Sequence, residues 1–297
     1  MKRILFGFIL SLPLLACAGE STSPAAPTAG NNPIYYTSPD VPSSMKIFGK
    51  DVDLSRSDFH ERFDRELMVN SYLHGSTLLN LKRANRLFPV LEPILKKNGI
   101  PRDMLYLAVI ESNLDPRAVS PAKAAGIWQF MASTAKQYGL EVNDYVDERY
   151  NIEKATEAAC RYFKDAYAKY GDWMAVAAAY NAGMARITQE RASQQQDNVL
   201  DLYLVTETTR YPYRIMAVKL IMEDPEKYGF HLRKDQLYKP VEYDEVVVDS
   251  PVENWVEWVK KYNISYAQLR EHNQWIRSKT LPNKTGKKYK VLIPKNR

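Results

Sequence analysis

The chain has 297 residues, room for one domain of about 180 residues and a smaller second one. Its 41 Lys and Arg against 35 Asp and Glu give a formal charge of +6; without Lys2 and Arg3 the counts are 39 and 35, or +4. So mild a bias suits an anionic polymer as partner and is no argument for nucleic acid.

The N-terminus reads MKRILFGFILSLPLLACAGES. Lys2 and Arg3 form a basic start, and the apolar stretch from Ile4 to Leu15 is shorter than the ~20 residues that span a bilayer. It fits an export leader covering residues 1–16. Leu14-Leu15-Ala16-Cys17 has the form of a bacterial lipobox, which predicts a lipidated Cys17 as the first mature residue and a firm membrane anchor when two or three chains are attached. Ala18 follows the cysteine in place of a retaining aspartate, so an outer-membrane lipoprotein facing the periplasm is expected, with the inner membrane as the other option. Residues 17–44 are rich in Ala, Ser, Thr, Pro and Gly and read as a flexible tether. Cys160, the other cysteine, stands among Ala158, Ala159, Tyr162 and Phe163 and reads as a small buried hydrophobe.

From Ser57 to about Phe230 the pattern is helical almost throughout. In the stretch from Asn151 to Gly171, apolar residues recur every three or four positions between an N-cap asparagine and a terminating glycine. Asp172 is placed to cap a following helix that Gly183 ends. The segment GIPRDMLYLAVIES has Pro101 at a helix start and apolar residues on most faces, the mark of a buried helix. Glu111 stands at its end. A carboxyl beside an apolar core resists ionisation, so its pKa is expected to rise, as a general acid near neutral pH requires. The plain alternative is a glutamate reaching solvent from a helix end. Asp115 precedes Pro116 and reads as a turn residue, with a second carboxylate as the less favoured reading. Asp147 and Glu148 read as a structural cluster with Arg149.

Downstream of Glu111-Ser112 stand Ser120, then Gly126-Ile127-Trp128-Gln129-Phe130-Met131, then Ala179-Tyr180-Asn181. In order and spacing these motifs resemble the lytic transglycosylases with a goose-lysozyme-like catalytic domain, and within them the membrane-bound lytic murein transglycosylase D group. The resemblance covers about residues 63–230. It implies non-hydrolytic cleavage of the β-1,4 bond between N-acetylmuramic acid and N-acetylglucosamine in peptidoglycan, leaving 1,6-anhydro ends, with Glu111 alone as acid and base. It implies a substrate frame of Ser112, Ser120, Gln129, Met131, Tyr180 and Asn181. The ordinary readings stay beside it: Ser120 as a cap before Pro121, Gln129 as a surface amide, Tyr180 as core, and Trp128 equally as groove wall or packing. Later, Glu207, Thr208 and Tyr211 fit the group's closing pattern while Thr209 and Arg210 depart from it, so Glu207 contacts substrate or makes a surface salt bridge. His60, His74, His231 and His272 lack ligand spacing and no glycine-rich phosphate loop is present, so neither metal nor cofactor is expected.

The segment 242–295 changes texture: YDEVVV reads as a strand, PVENWVEWVKKYN and SYAQLREHN as short helices, and KYKVLIP as a last strand. This βααβ order is similar to the LysM wall-binding module, except at the first turn, where DSPVENW replaces the usual Gly-Asp-Thr/Ser-Leu. From Asn273 to Arg297 the basic residues have no acidic neighbour in sequence, and the acidic stem peptides of peptidoglycan are a natural counter-charge. The expected architecture is mainly α: a lysozyme-like helical catalytic domain over 45–235 and a divergent LysM-like module over 242–295. The expected partners are peptidoglycan glycan strands and, through Cys17, a membrane. Two other functions stay open, a lysozyme-like muramidase and an inactive wall-binding lipoprotein.

Overall fold

The computed structural model describes residues 37–295. The leader, Cys17 and most of the tether lie outside the described residues. The first element is a hairpin that the periodicity of the sequence does not anticipate, β1 (Ser44–Ile47) paired antiparallel with β2 (Lys50–Asp53). Phe48 and Gly49 form its two-residue turn, with φ of 51° and 79°. Positive φ at both central residues matches the twist of the flanking strands. Met45 and Ile47 face the core, and the Phe48 N–H donates to Asp103 Oδ2 at 2.6 Å, which docks the hairpin.

Helices make up most of the body beyond this hairpin. α1 (Ser57–Tyr72) buries Phe59, Phe63, Glu66 and Leu67, and α2 (His74–Lys97) buries Leu81, Ala84, Leu87, Leu91 and Leu95, each a stripe at helical spacing. A short 3-10 turn after Pro101 leads into α3 (Leu105–Ser112), whose residues Leu105 to Val109 are all buried. After α4 (Ala132–Gln137) come α5 (Ile152–Tyr170) and α6 (Trp173–Ala182). Asn151 caps α5 by accepting from the Lys154 N–H, and Asp172 caps α6 by accepting from the Ala175 N–H. Gly171 takes a φ of 62° between the two helices, as the sequence leads one to expect. From Met174 to Ala179 α6 is buried, and its alanines let neighbouring helices approach closely. α7 (Met184–Gln194) and α8 (Thr206–Glu223) complete the body.

The helical run is interrupted more than its periodicity suggests. Residues 113–131 are irregular, joined only by isolated bridges, Val119 to Ala125 and Ala125 to Phe130. Asn113 and Leu114 leave α3 in left-handed conformations, and Pro116 and Pro121 keep their predecessors out of the helical region.

The C-terminal module has the βααβ order. β3 (Tyr243–Val248) pairs antiparallel with β4 (Tyr289–Pro294) in a register from Tyr243 opposite Pro294 to Val248 opposite Tyr289. Between them lie α9 (Trp255–Trp258), a 3-10 turn and α10 (Tyr266–His272), which opens on a Ser265–Gln268 capping box. Trp255, Val259, Leu269, Val291 and Ile293 fill a core of its own, which Val146 of the body joins. The Asp147 N–H donates to Trp275 O at 2.9 Å, and the Arg277 N–H to Tyr145 O at 2.8 Å. Lys287 bridges Glu141 and Glu148, at 2.5 and 3.1 Å. Among the described residues, no helix is long and apolar enough to cross a membrane.

Candidate active site

Glu111 occupies the last turn of α3. The residue is partly exposed, but its carboxyl is enclosed by neighbouring side chains. That loss of solvent raises its pKa above the ordinary carboxylate range, and the charge of Glu207 adds to the rise. Two groups oppose it. The Tyr211 hydroxyl donates to Glu111 Oε1 at 2.6 Å, and the Arg214 charge favours the ionised form. Glu207, Tyr211 and Arg214 are spaced four and three residues apart on α8, so one helix face carries all three. Sequence reasoning placed Tyr211 in a pattern but gave it no role, and it missed Arg214. The 4 + 3 spacing from Glu207 is the signal that could have found both.

Burial also pushes the Tyr180 and Tyr211 phenols well above the usual tyrosine value, and the Glu111 charge adds to each rise. The Tyr180 hydroxyl donates to Trp128 O at 2.6 Å, and its ring packs edge-on against Phe130 and Tyr162. Tyr180 therefore fixes the loop 113–131 to α6. Asn181, the next residue, accepts from the Thr208 hydroxyl at 2.9 Å. It shares a pocket of about 300 Å³ with Thr208 and Glu207.

The loop itself is held from inside. Gln129 sits at a φ of 49°, and its amide donates to Ala118 O and Gly126 O at 3.1 and 2.8 Å. The Ser120 hydroxyl accepts from the Ala124 N–H at 3.0 Å, closing a tight turn. Gly126 has a φ of 80°, and a Cβ there would stand 1.9 Å from Arg149 O, so only glycine fits. Arg149 is locked by Asp147 at 2.7 Å and donates to Lys123 O and Phe130 O, which makes this pair the brace of the loop. Strain of this kind, in a loop with a left-handed Gln129, needs such over-determined support.

The other residues singled out in the sequence have distinct places. Ser112 is buried, its hydroxyl 2.9 Å from both Ala108 O and Ile127 O. It joins α3 to the loop, because a short side chain in the last helical turn reaches back to the carbonyl four residues earlier. Met131 is exposed at the start of α4, and Trp128 is fully buried with its indole N–H on Thr156 Oγ1, so Trp128 is packing and not a groove wall. Asp115 accepts from Arg83 at 3.3 Å and from the Arg117 N–H at 2.9 Å, as a turn residue does. Glu207 is exposed. Cys160 is fully buried and burial pushes its thiol up to about 12, as a small core residue would have it. Among the described residues, no cluster of His, Cys, Asp and Glu is arranged to hold a metal ion.

Two family models match the chain: the transglycosylase SLT domain over residues 89–201, and the soluble lytic transglycosylase C-terminal LysM-like domain over residues 244–297. The chain carries an SLT transglycosylase domain and a LysM-like C-terminal domain. Glu111, Ser120, Gln129, Tyr180 and Asn181 lie inside the SLT match, while Glu207 and Tyr211 fall beyond its end. The membrane-bound lytic murein transglycosylase D of Escherichia coli K12 is 30% identical over 240 residues, 79% of this chain and 51% of that protein. The peptidoglycan transglycosylase gp16 of Escherichia phage T7 is 39% identical over 93 residues, 30% of this chain and 7% of that one. Among solved structures, the 70 kDa soluble lytic transglycosylase of Escherichia coli aligns over 60% of this chain and 33% of its own, at 16% identity and a TM-score of 0.40. The chain spans about half the length of the murein transglycosylase relatives it matches.

Proposed function

We propose that the chain is a peptidoglycan lytic transglycosylase, cleaving the β-1,4 bond between N-acetylmuramic acid and N-acetylglucosamine without water. The observation that carries this reading is a carboxyl at the end of an apolar helix, held toward its protonated form by burial and gripped by the Tyr211 hydroxyl. A carboxyl that keeps its proton near neutral pH can act as a general acid. Glu111 gives that proton to the leaving glucosamine oxygen as the muramic N-acetyl carbonyl attacks the anomeric carbon. The muramic C6 hydroxyl then displaces the N-acetyl oxygen, and Glu111 takes the C6 proton. One C–O bond breaks, one forms, and a single proton passes from O6 to the leaving oxygen through Glu111. Most glycosidases need two carboxylates; this route needs one.

Around Glu111, Ser112 from α3, Tyr180 and Asn181 from α6, Ser120, Gln129 and Met131 from the loop, and Glu207 from α8 form the sugar's frame, with Ser112 also tying the loop to α3. Residues 45–235 are the catalytic domain, and 242–295 bind wall glycan. Residues 1–16 are removed, and Cys17 carries lipid on a tether ending near residue 44, which puts the enzyme on the outer membrane facing the periplasm. The SLT and LysM-like matches and the murein and peptidoglycan transglycosylases among the relatives support a peptidoglycan substrate and an envelope location.

A second reading has one specific support. Glu207 is the acidic group whose charge reaches Glu111, and it could serve a lysozyme-like hydrolase as the second carboxylate, while Asp115 is engaged by Arg83. Mass spectrometry of muropeptides released from purified sacculi separates the two. Products lighter by one water than reducing-end muropeptides, absent with Glu111→Gln, are expected; reducing ends would mean hydrolysis. No release from the wild-type protein, with binding intact, would leave a wall-binding lipoprotein.

A further inference from the structure

A pocket of about 340 Å³ opens where the loop 113–131 meets α10 of the C-terminal module. Its wall holds Arg117 and Val119 from the loop, Tyr150 from the body, and Arg270, Glu271 and Arg277 from the module. Three guanidinium groups against one carboxylate give it a net positive lining. Among the described residues Glu271 pairs with Arg117 alone, at 3.5 Å.

The other two arginines are placed by uncharged groups. Arg277 lies 4.5 Å over the Tyr150 ring, and Arg270 donates to the Tyr266 hydroxyl at 3.0 Å. Neither has a carboxylate within ion-pair distance among the described residues. Two other structural arginines, Arg149 and Arg210, each meet a carboxylate instead. Two polar atoms on the same wall, Arg270 Nε and Gln274 Oε1, are buried without a hydrogen-bond partner among the described residues. Guanidinium groups fixed by aromatic contacts keep both their charge and their hydrogen-bonding edge for a ligand, and a planar fork suits a carboxylate.

The pocket also has a position relative to the proposed chemistry. Val119, 58% exposed on its rim, is the residue before Ser120, so the pocket begins one Cα step, about 3.8 Å, from a residue proposed to hold the sugar. We infer that this junction pocket binds a free carboxylate of the peptide stem carried by the glycan, so that the module and the loop together select stem-bearing strands. The inference rests on the peptidoglycan substrate proposed above.

The test uses the full chain, an Arg270→Ala/Arg277→Ala variant, and Val119→Glu, which places a carboxylate at the rim while leaving both arginines and their aromatic contacts intact. Turnover is measured on stem-bearing strands and on strands stripped of peptide. Expected is a KM higher by about tenfold on stem-bearing strands in both variants, with kcat within about twofold and stripped strands cleaved as by the wild type. An equal loss on both substrates, or no change on either, overturns the inference.

A second arm does not need turnover. A short acidic peptide with free carboxylates, its carboxamide counterpart and inorganic phosphate are each titrated into the three proteins. Binding of the acidic peptide alone, weakened about tenfold in both variants, supports the pocket. Equal binding of the carboxamide, binding of phosphate only, or no binding to the wild type overturns it. Were the wild type to cleave neither strand, the proposed enzyme would fail and this titration alone would decide the pocket.

Discussion

Two glutamates meet two consecutive residues of α8, and they are treated in opposite ways. Glu66 on α1 is 1% exposed and faces Arg210, whose guanidinium reaches both of its oxygens at 2.6 and 3.2 Å. Glu111 on α3 faces Tyr211, which offers one hydroxyl and no charge. The more deeply buried carboxylate is thus matched by a full opposite charge and stabilises the packing of α1 on α8. The less buried one has no such ion pair, and desolvation outweighs the field of Arg214 and raises its pKa. Burial alone does not mark a reactive carboxyl; the chemistry of its partner does.

The largest effect that separates the two comes from Glu111→Gln. Turnover on sacculi should fall by about 10²–10⁴-fold, the range for loss of a general acid and base, with wall binding retained. Stability should move the other way. A carboxyl whose folded pKa is raised binds more protons in the folded state, so its favourable contribution is complete below the unfolded value near 4.5 and is lost as pH rises through the folded pKa. Thermal melts across pH should therefore show the variant gaining on the wild type as pH climbs above 4.5. A variant less stable at neutral pH would mean that Glu111 is a structural partner like Glu66.

Glu66→Gln should behave in reverse. Breaking one side of a buried ion pair costs about 3–5 kcal/mol, and Arg210, a third exposed, recovers some hydration, so about 2 kcal/mol is expected. A melting temperature lower by roughly 5 °C, with near wild-type turnover in the folded protein, checks it. A large loss of turnover without loss of stability would break the comparison.

Much of this arrangement was legible in the chain. The isolation of Glu111 after an apolar run, the caps Asn151 and Asp172 and the βααβ order all rest on local periodicity and capping chemistry, which depend on near neighbours in sequence. The features that were not legible depend on distant pairings. Nothing near Glu111 in sequence announces Tyr211, a hundred residues away, or says that Ser112 would turn inward to Ile127 O. The hairpin at Ser44–Asp53 was missed because its turn uses Phe48 before the glycine, where asparagine or aspartate is the usual signal. Arg210 departs from the resembled pattern, and its pairing with Glu66 explains why a charge there does not disturb the neighbouring Tyr211.

Smaller changes test the environment of Glu111 in both directions. Tyr211→Phe removes a hydrogen bond that favours the ionised carboxylate, so the pKa of Glu111 should rise further and the alkaline limb of the pH–rate profile should move to higher pH. Turnover at the optimum should stay within about tenfold of wild type, the scale of one hydrogen bond to a charged group. A limb that moves down would mean that Tyr211 holds the protonated form.

Glu207→Gln gives the smallest effect and the opposite sign. The Glu207 charge helps to raise the Glu111 pKa, so its removal should lower that pKa and draw the alkaline limb to lower pH. Because Glu207 is exposed, its influence is screened: at about 1 M salt the Debye length shrinks to ~3 Å, and wild type and variant should converge. A loss of turnover that persists in high salt, at every pH, would instead make Glu207 a direct partner of the substrate. Coupled with reducing-end products, it would make Glu207 the second carboxylate of a hydrolase, for then its oxygens, and not its distant field, would be what the reaction uses.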